Sequence, residues 1–128
     1  MEMLVVQEVV ARGLQSGLEA LSPRERDVFV VHDIDLYCEM EGGFQDHIPN
    51  VPEKFDWLLD ILDRIGDRHS HRIIKALCAK PRAPFEQADA LCKEYDERRD
   101  FRWKCLERYL SGQGIQLDIE QASYRAGQ

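Results

Sequence analysis

Residues 22–50, SPRERDVFVVHDIDLYCEMEGGFQDHIPN, decide how this chain is read. The stretch opens on Ser-Pro-Arg-Glu: Ser22 offers a capping hydroxyl, Pro23 takes the first helical position, and Glu25 stands where a capping box needs a carboxylate. Over residues 24–41, Val30, Val31, Ile34, Tyr37 and Cys38 share one face at about 100° per residue, and Phe29, Leu36 and Met40 widen it. So broad an apolar stripe predicts the central helix of a domain, with Glu25, His32, Asp35 and Glu39 on its outer side. Gly42 and Gly43 stop that helix, because glycine takes the left-handed conformation that closes a last turn without a Cβ clash. Phe44 is expected to fold back onto the core, and Pro49, Asn50 and Pro52 supply a turn before the next helix.

Working outward, Leu4, Val5, Val9, Leu14, Leu18 and Leu21 recur at mixed helical spacings and predict an imperfect first helix over residues 2–20. Gly13 and Gly17 each weaken its interior by about 1 kcal/mol relative to alanine. Beyond the turn, Phe55, Leu58, Leu59, Leu62 and Ile65 form an inward stripe, while Glu53, Asp56, Asp60 and Asp63, spaced three, four and three apart, line the opposite face. Gly66 closes that helix and Asp67 caps the next, over residues 68–80. After the rigid segment at 80–84, helical spacing resumes over residues 85–110, as one helix or as two broken near 96–100. Ile115, Leu117 and Ile119 alternate like a short strand, but no partner strand is visible, so residues 112–128 are expected to be a loosely ordered C-terminal tail. The expected architecture is all-α: a compact single-domain bundle of five or six helices over residues 1–111.

The composition agrees with this class. A chain of 128 residues, 44% hydrophobic and 32% charged, supports one domain with a real core. No run approaches the roughly 18 apolar residues that span a bilayer, and Glu2 and Glu8 interrupt the N-terminal apolar run, so a cytoplasmic protein is expected. Cys38, Cys78, Cys92 and Cys105 stand singly in helical patterns and predict reduced, buried thiols. The net charge of −7 is unevenly spread: residues 19–66 hold 12 acids against 4 bases, residues 67–110 hold 8 acids against 11 bases. Such bipolarity concerns partners and self-association rather than fold.

The Ser-Pro-Arg-Glu start, the Leu36-Tyr37-x-x-Met40 helix end, Gly42-Gly43-Phe44, Asn50 and a following helix that ends in Ile65-Gly66 together resemble a bacterial family of uncharacterised domains related to DNA mimic protein 19. The resemblance covers about residues 20–110, and Glu41, His47 and Ile48 depart from the family pattern. It implies a compact helical domain, often dimeric, without known enzymatic activity, and, for the member that named the family, an acidic surface that imitates the phosphate backbone of DNA. Ser22, Gly42, Gly43, Phe44, Asn50 and Gly66 would be its structural motif.

Independently of the resemblance, carboxylates three and four residues apart lie about 5–6 Å from each other on a helix, a spacing that lysine and arginine meet as readily as phosphates. A charged outer face is ordinarily just solvated, and the concentration of acids here is what favours a use for it. Enzymatic signals are weak. His69 and His71, two apart on a helix, point about 200° away from each other and cannot easily share a metal, and His32, Cys38 and His47 have no ligand spacing. No catalytic or phosphate-binding motif is present. The sequence therefore predicts a non-enzymatic protein, without cofactor or metal, that binds a basic protein through Glu25, Asp35, Glu39, Glu53, Asp56, Asp60 and Asp63. A DNA-binding protein is the sharp choice of partner; neutralisation of a basic enzyme, immunity-fashion and without DNA mimicry, is the alternative. Direct nucleic-acid and membrane binding are not expected, and a homodimer is compatible.

Overall fold

In the computed structural model, which describes residues 2–40, 44, 47–80 and 83–118, the Ser22 cap forms as its sequence requires. Ser22 Oγ accepts from the Glu25 N–H and Glu25 Oε1 accepts from the Ser22 N–H, a complete capping box with Pro23 in the first turn. The helix it starts, α2 (Pro23–Glu39), is the axis of the molecule. It contacts α1 (Val6–Ser16), α3 (Pro52–Ile65), α5 (Phe85–Glu97) and α6 (Arg99–Ser111), and α4 (Arg68–Ala79) packs between α3 and α5. A short 3-10 turn, Leu18–Ala20, joins α1 to α2. The described residues thus form a compact all-helical bundle of six α-helices, with one small sheet at its edge.

Several local expectations hold for the physical reasons given. Gly66 takes φ 81°, the left-handed C-cap that lets α3 turn directly into α4, and Asp67 accepts from the Ser70 N–H and hydroxyl to begin α4. Phe44 is fully buried, with its ring edge-on to Phe55 and Tyr95. The region from 85 to 110 is two helices, broken at Arg98, whose backbone (φ −96°, ψ 11°) ends α5 and begins α6. Gly42 and Gly43 lie outside the described residues, as does the junction they were expected to close.

Three expectations are corrected. Residues 2–5 are not helical: Glu2–Val5 is a strand, β1, paired in parallel with β2 (Ile115–Asp118), Leu4 opposite Leu117. The alternation at 115 and 117 was a real strand signal whose partner lay at the far end of the chain, where Leu4 and Val5 also fit a helical pattern. Ile115 and Leu117 bury against the core with Leu4, so this part of the supposed tail belongs to the domain. Residues 119–128 lie outside the described ones. Gly13, read as a weakness of α1, is a close-approach site, because a Cβ there would stand 2.5 Å from the Phe29 ring.

Candidate protein-binding face

The helix α3 carries the most exposed acids of the expected set. Phe55, Leu58, Ile61 and Leu62 are buried on its inner side and Pro52 fixes its first turn, which leaves Glu53, Asp56, Asp60 and Asp63 exposed on the outside. At 1.5 Å rise per residue the stripe runs about 15 Å along the helix axis. Its charge is only partly offset by the two bases of the same helix. Lys54 Nζ turns aside to Asp33 (2.5 Å) and the Tyr37 hydroxyl (3.0 Å), and those bonds raise its pKa against the cost of burial. Arg64 forks onto both oxygens of buried Asp27 at 2.9 Å and spares only Nε for Asp60 at 3.0 Å. The Asp27 bonds hold Arg64 more firmly protonated than usual, outweighing burial, with Tyr109 adding to the effect. Among the described residues no cation stands within ion-pair distance of Glu53, Asp56 or Asp63.

The acids expected on α2 behave differently. Asp35 is a correction: it faces inward and is buried, with Oδ1 accepting from Arg102 Nη2 at 2.6 Å and Oδ2 from Trp103 Nε1 at 2.7 Å. Its position opposite the aliphatic stripe is not outside, because α5 and α6 cover that side of α2. Arg102 is itself fully buried, donates to the Tyr95 carbonyl at 2.8 Å and lies 3.5 Å from the Tyr95 ring centroid. Glu25 serves the capping box and pairs with Arg12. Burial works against its ionised form, yet the Ser22 N–H and the Arg12 guanidinium together lower its pKa. Glu39 is exposed but bonded to Arg99 Nη1 at 2.9 Å, and Arg99 also holds Asp96. Of the expected set, only Glu53, Asp56 and Asp63 of α3 are exposed and without an ion-pair partner among the described residues.

At the edge of that surface lies a cluster the sequence did not reveal. Asp27, on α2, anchors Arg64 and, at 3.4 Å, Arg24. Both arginines donate to the Tyr109 hydroxyl, at 2.6 Å from Arg24 and 3.3 Å from Arg64, and both sit near its ring face. The Arg64 bond leads in lowering the Tyr109 pKa, against burial. Asp27 and Asp60 together offset the two arginines, and the cluster clamps α2, α3 and α6 together at one end of the acidic stripe. At the other side Arg26 lies over the Trp57 ring, 5.5 Å from its centroid. No spacing rule predicts that residues 27, 64 and 109 meet; only the period of each helix was visible.

No family model, curated protein or solved structure matches the chain. Ser22 caps α2, Phe44 is buried in the core, Asn50 lies in a turn and Gly66 stops α3, placements that the local sequence alone accounts for. Among the described residues no group of three His, Cys, Asp or Glu side chains is arranged to hold a metal, and no helix is long and apolar enough to cross a membrane.

Proposed function

We propose that this is a non-enzymatic interaction protein whose α3 face docks a basic partner, and that the partner is a nucleic-acid-binding protein whose phosphate-binding lysines and arginines accept carboxylates in place of DNA. The observation that carries the reading is the separation of charge on α3: four exposed carboxylates on one face, of which only Asp60 has an ion-pair partner among the described residues, while Lys54 is drawn away to Asp33 and Arg64 divides between Asp27 and Asp60. An acidic row so little offset by its own cations presents a largely uncompensated field to a partner. The resemblance to the DNA-mimic-related family adds the substrate that is imitated, and it adds a dimer as the form in which the surface is presented.

The test is affinity capture from a bacterial lysate on immobilised chain, with and without competing duplex DNA, repeated with Asp56, Asp60 and Asp63 each replaced by lysine. The expected result is a basic protein retained by the native chain, released by duplex DNA and by raised salt, since exposed pairs are screened within about 8 Å at physiological ionic strength. Retention by the charge-reversed chain would refute the acidic face as the binding site. Retention that ignores duplex DNA would refute mimicry and leave plain neutralisation of a basic enzyme as the working account.

A further inference from the structure

Cys38, near the end of α2, and Cys92, on α5, come from elements 54 residues apart and bring their sulfurs to 3.6 Å. A disulfide needs about 2.04 Å between sulfurs, so closure takes a combined movement of only about 1.6 Å, within reach of two χ1 adjustments. Each sulfur has a defined setting. Cys38 Sγ lies 3.8 Å from the Cys92 carbonyl oxygen, and the Phe44 backbone lies near enough to the Cys92 sulfur to favour its thiolate. Cys78 and Cys105, the other free thiols, have no such neighbour sulfur.

From this geometry we infer that Cys38 and Cys92 form a two-thiol site that reacts with hydroperoxides and closes to a reversible disulfide between α2 and α5. Cys92 donates to Cys38 across the 3.6 Å gap, and Cys38 directs its own S–H to the Cys92 carbonyl oxygen, so either sulfur can give up its proton to become the attacking thiolate while the other resolves. In the first step that thiolate attacks one peroxide oxygen, the O–O bond breaks, and the sulfur becomes a sulfenic acid while the departing alkoxide or hydroxide takes up a proton. In the second step the other cysteine's sulfur attacks the sulfenic sulfur, the S–O bond breaks, and hydroxide leaves with that cysteine's proton as water. With hydrogen peroxide, two thiols and one peroxide give one disulfide and two waters, two electrons passing from sulfur to oxygen. The site needs no metal and no residue of the acidic face, and it stands apart from the proposed function.

The test treats the full, folded chain with hydrogen peroxide and then counts free thiols and maps peptides without reduction. The expected result is loss of two of the four thiols, a Cys38–Cys92 linked peptide, and recovery of all thiols with dithiothreitol. Cys38→Ser and Cys92→Ser should each abolish the linkage, at least one of them giving a dimedone adduct on the remaining sulfur of the pair, while Cys78→Ser with Cys105→Ser should leave the linkage intact. Native chain that keeps both thiols under conditions that oxidise the urea-unfolded chain, or that links Cys92 to any cysteine other than Cys38, would overturn the inference. The absence of a dimedone adduct from both single variants would overturn the sulfenic route.

Discussion

Replacing Asp35 by alanine tests whether the buried charges of this bundle are understood. The carboxylate accepts from Arg102 at 2.6 Å and from the Trp103 indole at 2.7 Å, and it stands 4.0 Å from Arg99. Asp35→Ala leaves the fully buried Arg102 guanidinium with only the Tyr95 carbonyl, the Tyr95 ring and more distant carboxylates to offset its charge. Removing one partner of a buried ion pair costs about 3–5 kcal/mol, most of it the stranded charge of the other partner. The orphaned indole N–H adds about 1–3 kcal/mol if nothing replaces its acceptor, though the two terms overlap because water admitted to the gap would serve both groups. A loss of about 4 kcal/mol out of a total of roughly 5–15 kcal/mol is large. With a urea slope of about 2 kcal/mol/M it lowers the unfolding midpoint by about 2 M, read by far-UV circular dichroism. Asp35→Leu combined with Arg102→Met removes both charges and should recover much of that loss, since well-packed apolar replacement of a buried pair is often neutral. A fall of less than about 1 kcal/mol in Asp35→Ala would mean that Asp35 is solvated, and it would return this residue to the outward acids from which the fold removes it.

Gly13→Ala puts a methyl 2.5 Å from the Phe29 ring and should destabilise by about 1–3 kcal/mol in the same assay, reversing the roughly 1 kcal/mol gain that helix propensity alone would bring; a stabilised variant would refute the close approach of α1 and α2. Glu25 has a folded pKa held below its ordinary 4.5, chiefly by the Ser22 N–H and Arg12 working against burial. Its contribution is therefore complete above about pH 4.5 and is lost as pH falls through the lower folded value, because the unfolded chain binds the proton first. Glu25→Gln should be less stable than the native chain at neutral pH and should converge with it in acid; parallel curves across that range would refute the assignment.

How far the sequence could be read follows from the distance over which each signal acts. The Ser22 box, the Gly66 stop and the Asp67 cap are settled by residues within four positions of one another, and each was legible. The four acids of α3 were legible for the same reason, since one helical period places them against Phe55, Leu58 and Leu62. Asp35 was misplaced because a helical wheel sorts residues by angle without knowing how many neighbours surround the helix, and α2 is covered on more than its aliphatic side. The β1–β2 pairing joins residue 2 to residue 115, and a four-residue strand that also fits a helical spacing carries no local mark of such a partner. The same holds for Cys38 with Cys92 and for Asp27 with Tyr109's arginines: each half looks ordinary until the chain closes.

The charge asymmetry of the sequence changes meaning once the pairs are placed. Much of the acid in residues 19–66 is neutralised within the fold: Glu25 by Arg12, Asp27 by Arg24 and Arg64, Asp33 by Lys54, Asp35 by Arg102, Glu39 by Arg99. Arg99 and Arg102 belong to the basic back half, so part of the bipolarity serves to hold α6 against α2 rather than to meet a partner. Among the described residues of that stretch, what is left is exposed Glu19 and the α3 row, four carboxylates over about 15 Å of helix of which Asp60 shares Arg64. That is one charge per roughly 5 Å, sparser than the charge per about 3.4 Å of a single DNA strand and much sparser than the 1.7 Å of a duplex. A partner that docks here can engage only a handful of cations, so α3 alone competes with duplex DNA at a disadvantage. Full mimicry then requires a second acidic row alongside the first, which a homodimer with its α3 helices side by side would provide, and this is the physical reason for the proposed dimer and the proposed mimicry to stand or fall together.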